Sequence, residues 1–176
     1  MTKNIPIFYE GQDDLVDILA TSMASICYNT KSFIDFYILD CGLSDFNKKQ
    51  LENMKNKFDN FSLEFIPIDL SHFKGLKGYT DGNFTDCYSR LLIPDLKPSI
   101  DKAIYLDTDT IVLKDIKEFW DIDLEGNSLG ALPDLGYREP IKKRFVEKLG
   151  GNPDQLFITG GVFIADCQKW REKKIT

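Results

Sequence analysis

Apolar and polar positions along the 176 residues alternate between two rhythms. Short apolar runs of the kind that form buried strands stand at Ile5–Tyr9, Phe33–Leu39, Leu63–Ile68, 103–113, Ser128–Leu132 and Phe157–Ala165. Helical spacing fills much of the rest. From about Asp13 to Tyr28 the apolar positions Leu15, Ile18, Leu19, Met23 and Ile26 recur every three or four residues. A second helix opens at Leu43-Ser44-Asp45, with Ser44 as N-cap, and runs to about Phe58. A third is expected from Thr85 to about Leu92, stopped by Pro94 and Pro98. A charged helix follows from about Pro140 to Leu149, closing on Gly150-Gly151, and another starts over Cys167–Lys174. A short apolar piece, Ile116–Trp120, stands between the fourth and fifth of these runs. Strands alternating with helices predict an α/β single domain over 1–176, mostly parallel in its sheet, with helices on both faces. In such sheets ligands bind beyond the carboxyl ends of the strands. The long loop Ser71–Asn83 suggests ligand contact as well.

Composition narrows the function. The chain is an ordinary soluble mixture, 43% hydrophobic and 28% charged. Its net charge of −6, with no basic block, argues against a general nucleic-acid partner. No run is long enough to cross a bilayer, and the start lacks a signal-peptide core, so a cytoplasmic location is expected. Cys27, Cys41, Cys87 and Cys167 are scattered and read as free thiols, not zinc ligands. His72 is the sole histidine and reads as a solvated loop residue, which leaves no His cluster or Ser-His-Asp triad. The sequons at Asn60 and Asn83 carry little weight.

The segment Ala103-Ile104-Tyr105-Leu106-Asp107-Thr108-Asp109-Thr110-Ile111-Val112 is the most telling. Alternation along an extended backbone sends Asp107 and Asp109 to one face, where two carboxylates repel and call for a cation. Hard oxygen ligands suit Mg2+ or Mn2+, and an ion held by two carboxylates keeps positions open for phosphate oxygens. A second Asp-x-Asp, Asp121-Ile122-Asp123, has no strand leading into it and reads as a solvated turn. A calcium loop over 107–118 fails, because Val112 stands where the sharp turn needs glycine.

Several ordered blocks then point one way. Ile5-Pro6-Ile7-Phe8-Tyr9, Ser22-Met23-Ala24-Ser25-Ile26, Tyr88-Ser89-Arg90-Leu91-Leu92-Ile93-Pro94, Tyr105-Leu106-Asp107-Thr108-Asp109 and Gly161-Val162-Phe163-Ile164 with Lys169-Trp170-Arg171 resemble glycosyltransferase family 8 over essentially the whole chain. That family comprises retaining nucleotide-sugar transferases, among them bacterial lipopolysaccharide galactosyl- and glucosyltransferases and, more distantly, glycogenin. The resemblance implies a GT-A-like fold. It implies that Asp107 and Asp109 ligate Mn2+ (or Mg2+) on the diphosphate of a UDP-sugar, with Thr108 beside them. Arg90 would lie near the diphosphate or sugar, and Asp134 near the sugar or acceptor, as the catalytic pair. Phe8 and the first strand's end and following turn, Tyr9 to Asp14, with Asp13 and Asp14 foremost, would hold the uridine. Thr159, Gly160 and Gly161 would line the sugar pocket. The acceptor would be a glycan or lipid-linked saccharide, which admits a peripheral position at the inner membrane face.

The chain departs from the family pattern in two turns. Glu10-Gly11-Gln12-Asp13-Asp14 replaces small residues followed by an Asp-Asp-Asn type of turn, and Thr159-Gly160-Gly161 replaces Asn-Ala-Gly. Weak UDP binding or another preferred nucleotide is therefore expected. Family members also continue into an acidic/amide motif and a His-x-x-Gly-x-x-Lys segment, which nothing after Trp170 supplies. The chain reads as the front part of a catalytic domain, with little turnover by itself. Two other functions share parts of the signature. A haloacid-dehalogenase-like phosphatase uses Asp-x-Asp-x-Thr, but Ile111 takes the Thr position and no adjacent acidic pair follows residue 109. A non-catalytic nucleotide-binding domain would bind UDP without turnover.

Overall fold

The computed structural model describes residues 4–76, 85–134, 143, 146–148, 150–152, 154 and 157–175. Six strands form one sheet in the order β3-β2-β1-β4-β6-β5. They are β1 (Ile5–Gly11), β2 (Ile34–Asp40), β3 (Phe61–Pro67), β4 (Lys102–Leu106), β5 (Leu129–Pro133) and β6 (Ile158–Asp166). The pairs β1–β2, β2–β3 and β1–β4 are parallel, whereas β6 runs antiparallel to both β4 and β5.

β1 lies at the centre and is apolar through Tyr9 because both of its faces are covered. Alternation splits its side chains between two cores. On one side Ile7 and Tyr9 pack with Ile104, Leu106 and Phe36 beneath α1 (Val16–Asn29) and α2 (Asp45–Asn53), through Leu19, Met23, Ile26 and Leu51. On the other, Phe8, Ala103 and Tyr105 pack with Phe163, Ile93, Cys167 and Trp170, the last two from the helix Cys167–Lys173. Helices thus cover both faces, as the sequence predicts.

Element boundaries shift in ways that matter for the site. β1 runs two residues beyond Tyr9, so Glu10 belongs to the strand. The first helix begins as a 3-10 turn over Asp13–Leu15. Ser44 caps α2 by accepting from Asn47 N at 3.3 Å. The helix expected from Thr85 is instead a 3-10 helix over Asp86–Leu92 that continues into an α-helical turn, Ile93–Leu96. Pro94 does not stop it. Proline falls in the first turn, where its missing N–H would have had no intrahelical partner. Ile116–Trp120 is a short helix capped by Asp115, which accepts from Lys117 N at 2.9 Å. The helix expected over 140–149 and the second half of the loop 71–83 fall largely outside the described residues.

The parallel order reverses between β1 and β4, since β1's chain neighbour β2 lies on its other side. A crevice opens at such a point, between the carboxyl ends of the two strands. Glu10 and Asp107 stand at those ends.

Candidate active site

Asp107 follows the last residue of β4 and keeps its backbone in the ladder, with Asp107 N donating to Gly161 O at 2.7 Å. The turn after it is held by a line of hydroxyls. Tyr9 Oη and Ser22 Oγ are 2.7 Å apart, Ser22 Oγ and Thr110 Oγ1 3.1 Å, and Thr110 Oγ1 donates to Asp107 O at 2.8 Å. Val112 N donates to Ser25 Oγ at 2.9 Å, and Asn29 Nδ2 to Val112 O at 2.8 Å. One face of α1 therefore fixes the path of residues 107–112. That gives the Ser22/Ser25 block a physical role: its hydroxyls shape the carboxylate turn.

The Asp107 carboxylate is oriented from two sides. Tyr105 Oη donates to Asp107 Oδ1 at 3.0 Å, and an Arg90 guanidinium nitrogen lies 3.2 Å from the same oxygen. On its other side β6 passes so close that a Cβ at Gly161 would stand 2.2 Å from Asp107 Oδ2. Only glycine leaves the carboxylate in place. Asp109 is exposed and borders the same cavity.

Arg90 reaches across from the 3-10 helix and is held at every nitrogen. Nε donates to Cys87 O at 2.7 Å, one terminal nitrogen donates to Gly160 O, and the guanidinium carbon lies 4.5 Å from the centre of the Tyr105 ring. Its side chain is 16% exposed, so Arg90 is not a helix-surface ion pair. Tyr105 in turn stacks on Phe163 at 5.1 Å. The cationic group is thus tied into the core beneath β4 and β6.

A second network lies on the β1 side. Gln12 Nε2 donates to Glu10 Oε1 at 2.7 Å and also to Asp86 Oδ2. Glu10 Oε2 is buried, with no hydrogen-bond partner among the described residues, 4.0 Å from Arg90. Burial, and then the charge of Asp86, push the Glu10 carboxyl up to about 7, against the pull of Arg90.

These groups surround a cavity of about 820 Å3. Of the residues singled out from the sequence, Arg90, Asp107, Thr108, Asp109, Asp134, Thr159, Gly160 and Gly161 border it. Four do not. Phe8 and Tyr9 have wholly buried side chains, spent on the two cores. Asp13 turns toward α2, where Oδ1 accepts from Ser44 N at 2.7 Å and Asn47 Nδ2 at 2.8 Å, contacts that lower its pKa. Asp14 is exposed, away from the cavity wall. Glu10 and Gln12, within the turn expected to hold the uridine, do border it, and so do residues the sequence did not single out, among them Leu15 and Asp86, with Tyr105 behind Asp107. Glu10 carried a signal, a lone charge at the end of an apolar central strand.

Asp107 and Asp109 present hard oxygen donors to a roomy cavity, and Gly161 keeps the Asp107 carboxylate free of steric pressure. Such a pair could hold Mg2+ or Mn2+ with ligand oxygens completing the shell. Among the described residues no set of three His, Cys, Asp or Glu side chains gathers at one point. Asp121 and Asp123 stay local: Asp121 pairs with Lys117, and Asp123 Oδ1 accepts from Glu125 N at 2.8 Å. All four cysteines are free, and burial raises the Cys27 and Cys41 thiols to about 12. No helix among the described residues is long and apolar enough to cross a membrane.

The model of the family described as Glycosyl transferase family 8 matches residues 6–176. General stress protein A of Bacillus subtilis is 32% identical over 146 residues, 81% of this chain and 48% of the relative. A Haemophilus influenzae protein named as a glycosyltransferase is 28% identical over 174 residues, 99% of this chain and 52% of its own length. The solved structure of the galactosyltransferase LgtC with donor and acceptor sugar analogues superposes with a TM-score of 0.81 at 26% identity, covering 96% of this chain and 60% of that one. Its active-site mutant Q189E gives a TM-score of 0.83 at 27% identity, over 96% and 59% of the two chains. The GT-A-like fold expected from the sequence is the one found. The chain spans about half the length of the curated relatives it matches.

Proposed function

The chain belongs to glycosyl transferase family 8, and from that premise we propose that it forms the nucleotide-sugar half of a metal-dependent, retaining hexosyltransferase. The donor is a UDP-sugar carrying glucose or galactose, and the acceptor a glycan or lipid-linked saccharide. The observation that carries this reading is the meeting of Asp107, Arg90 and the Gly160-Gly161 backbone at one cavity, built from β4, β6 and a 3-10 helix.

Asp107 and Asp109 are the residues that would hold Mn2+ or Mg2+. The ion would supply positive charge to the diphosphate as it leaves. Arg90 supplies a second, fixed cation on the same side. Breaking the glycosidic bond builds negative charge on the leaving phosphate oxygen, and a guanidinium already desolvated and hydrogen-bonded needs little rearrangement to meet it. Tyr105 keeps both Arg90 and Asp107 in register. Asp134 is exposed at the cavity edge, where it would face the transferred sugar or the acceptor hydroxyl. Leu15 and Ile18 also line the cavity and would offer the base an apolar surface.

The test is UDP release from UDP-glucose and UDP-galactose, with Mn2+, with Mg2+ and with chelator, alongside calorimetry of UDP binding. Metal-dependent UDP binding is expected. Binding of UDP that ignores chelator would remove the metal from the proposal. Phosphate release from a generic phosphoester without any UDP affinity would replace it with the phosphatase.

A further inference from the structure

Past Asp107 the chain belongs to no strand or helix until Ile116. Ile111 and Leu113 are exposed, so burial of those side chains does not hold it either. Residues 107–110 form a turn closed by Thr110 N, which donates to Asp107 O at 3.2 Å. Thr108 and Asp109 are its two central residues, so the turn sets how the second carboxylate stands to the first.

The hydroxyls behind this turn have a forced order. Thr110 Oγ1 donates to Asp107 O, a carbonyl that can only accept. A hydroxyl carries one proton, so Thr110 must accept from Ser22, 3.1 Å away. Ser22, its own proton spent, must accept from Tyr9 at 2.7 Å. Burial raises the pKa of the Tyr9 phenol, which keeps its proton in place. Tyr9 and Ser22 are wholly buried, and Ser22 is a polar member of the buried face of α1, beside Leu19, Met23 and Ile26. The bonds run one way, from the core to the turn.

We propose that Ser22 is a positioning residue for metal selection: through Thr110 it holds the Asp107–Asp109 turn to the geometry of a small octahedral ion, Mn2+ or Mg2+, against the larger Ca2+. The inference rests on the two aspartates being metal ligands and adds what makes them selective. A small ion such as Mg2+ demands near-ideal geometry at about 2.0–2.1 Å, whereas Ca2+ accepts flexible ligands at about 2.3–2.6 Å. A turn released from its anchor therefore loses the small ion first. Ser25 and Asn29 hold the exit of the segment at Val112, outside the turn itself.

Calorimetry of UDP binding by the 176-residue protein, in saturating Mn2+ and in saturating Ca2+, reads the selectivity as a ratio, with melting curves alongside. The native chain is expected to bind UDP about tenfold or more tighter in Mn2+. In Ser22→Ala, affinity in Mn2+ should fall about tenfold and that in Ca2+ little, so the ratio approaches one. That variant leaves the Tyr9 hydroxyl buried without its Ser22 partner. Tyr9→Phe/Ser22→Ala removes both hydroxyls and carries the same expectation in a fold free of that cost. Tyr9→Phe alone is the control. It loses a buried hydrogen bond and melts lower, but Ser22 still donates to Thr110, and the ratio should stay within about twofold. A merely structural role would lower the melting temperature and leave the ratio unchanged in every variant, which overturns the inference. A native ratio near one, or an equal fall in Tyr9→Phe, overturns it too while leaving the aspartates as metal ligands. UDP binding that ignores both ions, or no UDP binding at all, overturns the metal–nucleotide reading and this inference with it.

Discussion

Two Asp-x-Asp pairs stand fourteen residues apart in this chain, and the fold uses them in opposite ways. Asp107 and Asp109 leave the end of a central strand, where Asp107 meets Arg90 and Gly161 from distant parts of the chain and Tyr105 from its own strand, and Asp109 borders the same cavity. Asp121 and Asp123 leave a five-residue helix and, among the described residues, meet neighbours within four positions. The pattern of letters is the same. What differs is the number of elements that converge on the carboxylates, and hence how far they are desolvated and oriented. A pair at a strand end inside a topological switch point inherits a site, whereas a pair on a helix end inherits water.

The sharpest way to break the comparison is to neutralise one member of each pair. Asp109→Asn should keep the fold and lose most Mn2+-dependent UDP affinity, with turnover falling about a hundredfold or more in any active form of the protein. Calorimetry with and without Mn2+ checks it. Unchanged metal-dependent binding would remove Asp109 from the site.

The next effect is steric. Gly161→Ala places a methyl 2.2 Å from Asp107 Oδ2, so the carboxylate must swing away and metal-dependent UDP affinity should fall about tenfold or more. Gly160→Ala is the control. Its Cβ would meet only Arg90 Nη1, at 3.4 Å, and affinity should stay within about twofold. Similar losses in the two variants would mean that strand flexibility matters, not the space beside Asp107.

Electrostatic cost separates the two regions further. The Glu10 carboxyl is held up to about 7 from an ordinary value of 4.5, chiefly by burial. Between those values the folded protein binds a proton that the unfolded chain has released. The stability linked to Glu10 is therefore fully present below about 4.5 and is lost as pH rises through 7. Glu10→Gln should flatten that decline and raise stability at pH 8, relative to the native chain, by up to roughly 3 kcal/mol. Melting curves at pH 5 and pH 8 in metal-free buffer measure it. Parallel declines in both proteins would place the Glu10 pKa near its ordinary value.

The smallest effect is the control for the whole comparison. Asp121→Asn and Asp123→Asn should change stability by no more than about 0.5 kcal/mol and leave UDP binding untouched, since an exposed i,i+4 ion pair and a turn hydrogen bond are all they lose. A loss of nucleotide affinity in either would show that the second pair is part of the site after all.

Local pattern alone determined a good deal of this protein. Burial on both faces makes β1 and β4 continuous apolar runs, and amphipathic spacing marks α1, because each reflects contacts repeated along its own segment. The carboxylates at the end of β4 were legible for the same reason, and the family resemblance added Arg90, Asp134 and the glycines of β6. Other features depended on partners remote in sequence. Pro94 as a helix opener depended on a 3-10 helix entering it, and the antiparallel run of β6 between β4 and β5 on long-range pairing. The turn after β1 shows the divide most clearly. Asp13 looks like a ligand-binding acid in a string of letters, yet α2 claims its carboxylate, whereas Gln12 reaches the cavity wall because Asp86, seventy-four residues away, holds its amide. Periodicity reports which face of an element is buried. Only the tertiary structure decides what that face meets, because a side chain's charge and orientation are set by the neighbours that desolvate it.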